Sequence, residues 1–176
     1  ISVGIHGDYA IVGAYKNDDG GTDSGSAYIF VRSDSSWSQQ AKITAADAGA
    51  GDWFGSNVSI YGDSVVVGAW FESSQVGAAY VFTRTGTSWS QQAKLTGSDT
   101  LSNRRGYSVS IYDDYVMVGA YTDSSIVSNN GAAYVFKRTG TSWAQQAKIT
   151  ASDANELARF GTSVSIYQDY AVIGAY

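Results

Sequence analysis

The side chains able to do chemistry in this 176-residue chain are few. It has one histidine and no cysteine, which removes thiolate catalysis and cysteine-ligated metals. The histidine, His6, stands where Tyr61, Tyr112 and Tyr167 stand in later copies of a repeat. It lacks the partners that general acid–base work needs, so a structural role and no Ser-His-Asp triad are expected. The carboxylates recur instead. Asp8, Asp63, Asp114 and Asp169 fall in short turns, and Asp47, Asp99 and Asp153 in longer connections. The second set reads either as a ring of ligands for a metal or as Asx turns tying each loop, and recurrence once per repeat favours the turns.

One acidic cluster stands apart. The stretch Asn17-Asp-Asp-Gly-Gly-Thr-Asp23 has no counterpart in the other repeats. Asp18, Asp19 and Asp23 are the weak metal candidates, but the run lacks calcium-loop spacing with a closing Glu. A solvated loop and no cofactor are the expectation. More informative are residues that break the repeat: Trp53, Trp70, Phe71, Arg104 and Arg105 all lie in or beside variable connections. Aromatic and arginine side chains dominate binding hot spots, and aromatic rings stack on sugars, so another protein or a carbohydrate is the expected partner. Trp70 reads equally as a binding residue and, like Tyr15 and Tyr121, as packing between repeats.

The elements that hold these residues are repeated. Gly-Ala pairs begin at Gly13, Gly68, Gly119 and Gly174, Tyr-x-Phe triplets at Tyr28, Tyr80 and Tyr134, and Trp-x-Gln-Gln-Ala-Lys at Trp37, Trp89 and Trp143. Periods of about 50 residues with several strand signals each predict propeller blades. Within one copy, residues 58–61 alternate apolar and polar, residues 65–69 are continuously apolar, and residues 78–83 and 89–96 complete four strands. Gly62-Asp63 and its equivalents make the first hairpin turn, and a Gly-containing loop from Arg84 to Ser88 the second. The two longer, variable connections then emerge on one face, where repeat proteins place their binding surfaces. The expected fold is all-β: blades of four antiparallel strands at 1–53, 54–105 and 106–160, and a first strand pair of a fourth blade at 161–176.

Phe54-Gly55, Phe160-Gly161, the Val-Gly-Ala endings at Val67 and Val118, and the Gly-Ala-Ala-Tyr-Val-Phe segments that follow resemble the FG-GAP repeat, the blade unit of integrin α-subunit propellers. The Ser-Trp-x-Gln-Gln-Ala-Lys segments bring it closer to a bacterial subtype found in large secreted or surface proteins. The resemblance spans essentially the whole chain. It departs at the residue after Gly-Ala, where the family's Pro is replaced by Tyr15, Trp70, Tyr121 and Tyr176, and at Arg105, which replaces the Phe of the Phe-Gly pair. The family's calcium loop between the first two strands is also missing. A two-residue turn with one Asp cannot supply six or more oxygens, so calcium is not carried over.

A formal charge of −5 with scattered basic residues argues against nucleic acid. The longest apolar run, Val65 to Phe71, is far short of the roughly 20 residues of a spanning helix, so no membrane insertion is expected. Four first pairs of strands but three second pairs are expected to make the chain either an excerpt of a longer repeat array or a subunit whose edges neighbouring copies close. The resemblance implies an extracellular or cell-surface, non-catalytic interaction or scaffold module of the adhesion or surface-fibre type. The alternative is a propeller or lectin-like domain of a larger secreted hydrolase.

Overall fold

A computed structural model describes residues 2–98 and 104–176. Asp99, one of the recurring aspartates, lies outside them. Strands β1 (Val3–His6), β2 (Tyr9–Ala14), β3 (Ser26–Ser33) and β4 (Ser36–Ile43) form the first sheet. Strands β5 (Asn57–Tyr61), β6 (Ser64–Ala69), β7 (Ala78–Thr85) and β8 (Ser88–Leu95) form the second, and β9 (Ser108–Tyr112), β10 (Tyr115–Ala120), β11 (Ala132–Thr139) and β12 (Ser142–Ile149) the third. A two-stranded sheet of β13 (Ser163–Tyr167) and β14 (Tyr170–Gly174) follows. Each sheet is an antiparallel meander in sequence order. The third strand runs two residues further than the sequence predicts and the fourth begins and ends one residue earlier, because Thr85 and Ser88 pair across the hairpin and leave only Gly86-Thr87 as the turn. One helical turn, α1 (Glu72–Gln75), interrupts the otherwise all-β chain.

Burial follows the alternation. Every residue of β6 is buried, as its unbroken apolar run requires of a strand covered on both faces. Val58 and Ile60 of β5 pack with Ile11 and Ile29 of the first blade. Val109 and Ile111 of β9 do the same against Val66 and Val81 of the second, and Val164 and Ile166 against Met117 and Val135 of the third. One face of each blade therefore presses on the opposite face of its predecessor. The innermost strands are also laced by polar bonds: Ser59 Oγ accepts from Ile111 N (3.2 Å) and Ser110 Oγ from Ile166 N (3.1 Å).

The glycines of the two signature motifs meet between blades. A Cβ on Gly13 would lie 1.9 Å from the carbonyl oxygen of Gly55, on Gly68 2.0 Å from that of Gly106, and on Gly119 2.0 Å from that of Gly161. The Gly of each Gly-Ala thus receives the backbone of the next blade's Phe-Gly glycine, an approach that no side chain allows.

The outer strands carry a second inter-blade device. A β-bulge sets Gln40, Gln92 and Gln146 out of register opposite the third strand, and bulges re-aim side chains. Gln40 Oε1 accepts from Trp89 Nε1 of the next blade (2.9 Å), and Gln92 Oε1 from Trp143 Nε1 (2.7 Å). The preceding glutamine reaches backwards, Gln91 Oε1 accepting from Ala46 N and Gln145 Oε1 from Ser98 N, each at 2.9 Å. We expect Gln92→Leu to lower stability by about 1 kcal/mol, the scale of a lost hydrogen bond with a half-buried donor left unpaired. Gln146→Leu, which faces no following tryptophan among the described residues, is expected to cost less than about 0.5 kcal/mol. Urea midpoints of the two variants check the difference, and equal losses contradict the assignment.

Candidate functional site

The two long connections of each blade converge on one face. They are fastened there by short parallel bridges, Gly25 to Phe54, Gly77 to Arg105 and Gly131 to Phe160. Beside each bridge two residues adopt left-handed backbone. Asp23 pairs with Trp53, Gln75 with Arg104 and Asn129 with Arg159, the N–H of the second donating to the carbonyl of the first at 3.1–3.2 Å. Trp53 lies at φ 59°, Arg104 at 50° and Arg159 at 50°. Such conformations in bulky residues are strained and persist where the surroundings enforce them.

This backbone lifts the side chains of positions 53, 104 and 159 among the aromatic residues that follow Gly-Ala. Trp53 stacks on Phe71 (centroids 4.7 Å apart) and meets Trp70 edge-on (4.9 Å) and Tyr15 at a tilt (5.5 Å). The Arg104 guanidinium lies over Trp70 (5.3 Å) and Tyr121 (5.6 Å). It bonds the Tyr121 hydroxyl and donates through Nε and Nη2 to Gln75 Oε1 at 3.0 and 2.7 Å. Arg159 repeats the contact over Tyr176 at 5.1 Å. Tyr107 joins Trp70 to Tyr121 at 5.7 and 4.3 Å. The result is an arc that alternates aromatic rings with Trp53 or arginine, running from blade to blade. A cavity of about 330 Å³ opens inside it.

Of the residues singled out in the sequence, Trp53, Trp70, Phe71 and Arg104 are brought together here, all half-buried. Trp70 packs between blades, as one of its two readings has it, and also borders the cavity. Arg105 requires correction. It is 1% exposed, holds the buried position of Phe54, and sets its guanidinium 5.3 Å over the Tyr134 ring, so it belongs to the interior and not to the loop face. Tyr15, Tyr107 and Arg159 were not singled out. The last was recoverable, because Trp53, Arg104 and Arg159 each immediately precede the Phe-Gly position.

The carboxylates resolve into pairs. Arg32 Nε donates to Asp8 Oδ1 at 2.9 Å, Arg138 Nε to Asp114 Oδ1 at 2.7 Å, and Arg84 bonds Asp63, so three of the four hairpin aspartates each hold an arginine of their own blade's third strand. Asp47 lies 2.7 Å from Lys94 of the next blade, an inter-blade ion pair in place of the expected Asx turn. Lys94 also reaches Glu72 at 2.8 Å. Burial disfavours charge on Lys94, but the bonds from Asp47 and Glu72 outweigh it and hold the ammonium above the ordinary lysine range. Likewise Asp47 is held below the ordinary value: burial pushes it up, and the hydrogen bonds from Lys94 and Tyr80 together with the Lys94 charge overcome that. Asp153 uses its backbone carbonyl, accepting from Asn155 Nδ2.

In the acidic loop, Asp18 Oδ1 accepts from Asp23 N at 2.8 Å while Asp19 bonds Lys42. The carboxylates of Asp18 and Asp19 are thus drawn to different partners, and no three His, Cys, Asp or Glu side chains converge on a metal-sized site among the described residues. His6 accepts from Gly62 N through Nδ1 (3.0 Å) and meets the Tyr61 ring at a tilt (4.6 Å). Tyr61 continues to Tyr112 (4.7 Å) and Tyr112 to Tyr167 (5.0 Å), so the histidine heads an aromatic column on the face opposite the loops.

Four-stranded meanders packed face to face, laced along their innermost strands and presenting their long loops together, define a propeller-type repeat module. A family model for the FG-GAP repeat matches residues 1–30, 37–82, 89–136 and 143–176, and the chain belongs to that family. No curated protein matches it in a sequence search. Among the described residues no helix is long and apolar enough to cross a membrane, and FG-GAP repeats occur in extracellular or surface proteins.

Proposed function

We propose that this chain is an extracellular or cell-surface interaction and scaffold module that binds protein or carbohydrate through its loop face and has no catalytic role. The observation that carries this is the arc of Tyr15, Trp53, Trp70, Phe71 and Arg104 around an open cavity, on the face where the connections vary between blades. Half-buried tryptophans and an arginine fixed by neighbours offer large contact area at low cost in side-chain entropy. Nearby, Lys94 is committed to ion pairs with Asp47 and Glu72, in keeping with a surface that binds.

Purified chain screened on arrays of purified surface proteins and glycans tests the proposal. Trp53→Ala is expected to weaken a hit at least about tenfold, the loss typical of a central aromatic anchor. Tyr170→Ala, 77% exposed at the turn end of β14, is expected to leave it unchanged. A hit indifferent to both changes places binding elsewhere and refutes the loop-face assignment.

A further inference from the structure

We infer that the loop-face cavity is a site for a neutral saccharide of one or two rings, an inference that rests on the loop face being the binding surface. The cavity's walls are the rings of Tyr15, Trp53, Trp70 and Tyr107. Its non-aromatic polar side chains are those of Ser56, Asn57 and Thr162, at the loop ends of the innermost strands. No charged side chain lines it.

The hydrogen-bond state of those three residues is fixed by the fold. Ser56 Oγ donates its proton to Gly68 O (3.1 Å) and Thr162 Oγ1 donates to Arg159 O (2.6 Å). Each hydroxyl oxygen therefore faces a ligand as an acceptor. Asn57 Oδ1 accepts from Val109 N at 3.0 Å, which orients the amide and leaves Nδ2 as its donor. These three side chains thus offer two acceptors and one donor beside flat aromatic walls. An anion would meet no cation in the lining itself, since the Arg104 guanidinium on the arc is already bonded to Gln75 and Tyr121, and a wholly apolar ligand would leave the Ser56, Asn57 and Thr162 groups without partners. A ring that pairs an apolar C–H face with hydroxyl groups, each donor and acceptor, satisfies every feature. At about 330 Å³ the space lies at the small end of the roughly 300–1,000 Å³ typical of ligand sites, which limits the occupant to one or two rings.

The test is an array of neutral hexose and N-acetylhexosamine oligosaccharides printed beside sialylated and sulfated ones, followed by calorimetric titration of the strongest ligand. Neutral glycans are expected to bind, with an affinity insensitive to added salt. Asn57→Asp keeps the acceptor for Val109 and removes the donor, and Thr162→Val removes the hydroxyl at constant shape. Each is expected to weaken binding about tenfold; Asn57→Asp leaves the melting curve unchanged, and Thr162→Val lowers it slightly through the lost bond to Arg159 O. Preference for charged glycans, failure of all neutral glycans at millimolar ligand, or affinity untouched by both variants overturns the inference. If a purified protein binds instead and is lost with Trp53→Ala, the saccharide assignment falls while the loop-face reading stands. If a neutral glycan binds but survives Trp53→Ala, both fall.

Discussion

Gly68→Ala is expected to destabilise the protein by about 3 kcal/mol or more and to lower the melting temperature by on the order of 10 °C. The added methyl group would sit 2.0 Å from the carbonyl oxygen of Gly106, a backbone atom that cannot rotate away. Relief requires the second and third blades to part, which disturbs the apolar layer of Val66, Val81, Val109 and Ile111. Two other glycines calibrate the effect. Gly86 has φ 63° with nothing near its would-be Cβ, so Gly86→Ala carries only the left-handed penalty of about 1–2 kcal/mol. At Gly174 the nearest atom is the Ser163 hydroxyl at 2.3 Å, a side chain that can turn aside. Gly174→Ala is therefore expected to be the mildest of the three. Thermal melts followed by circular dichroism give the ranking, and a Gly68→Ala variant no worse than Gly86→Ala contradicts the inter-blade role of the motif.

Lys148→Met is expected to cost about 3 kcal/mol at neutral pH, near the lower end for breaking a buried ion pair, because its own stem is partly exposed. The Asp123 carboxylate is fully buried and lies 2.7 Å from the Lys148 ammonium. Tyr134 donates to the same carboxylate at 2.9 Å, and Ser125 N to its other oxygen, also at 2.9 Å. Burial pushes the Asp123 pKa up, and the bonds from Lys148, Ser125 and Tyr134 outweigh it and hold it below the ordinary value. A depressed folded-state pKa stabilises the fold above the unfolded value of about 3.9, and that contribution disappears as pH falls below it. In Lys148→Met burial acts against a weaker set of partners, so the folded pKa rises and the sign reverses. The deficit of the variant should then shrink as pH drops from about 7 to about 4, because protonation relieves the buried charge. Denaturant midpoints against pH would show converging curves. Parallel curves would mean that Asp123 does not depend on this lysine.

The blades were legible because their cause is local: alternation at Val58 to Tyr61, the apolar run from Val65 to Ala69, and Gly-Asp turns each specify a strand or hairpin without tertiary help. The whole-chain FG-GAP resemblance rested on the same residues. Side-chain partners between blades were less legible. The bulge that separates Gln91 from Gln92, and sends one backwards and the other forwards, cannot be read from a repeated Gln-Gln. Asp47 looked like a turn residue because its partner, Lys94, is remote in the sequence. Arg105 misled for the opposite reason: arginine signals a surface, and only the stacking over Tyr134 shows that this one substitutes for a buried ring. Trp53, Trp70, Phe71 and Arg104 were found by their departure from the repeat, while Asn57 and Thr162 were hidden, their chemistry depending on which atoms the backbone already occupies.

Positions 53, 104 and 159 are held by main-chain bonds to residues 23, 75 and 129, so their placement does not depend on which side chain they carry. Tryptophan occupies one and arginine two on nearly the same backbone. This separates the inheritance of the scaffold from the inheritance of specificity. On the proposed binding role, point changes at these sockets would alter what the surface recognises without asking the blades to refold, so lineages could diversify their ligands one residue at a time. The same three sockets are the natural positions to randomise in a library built on this chain.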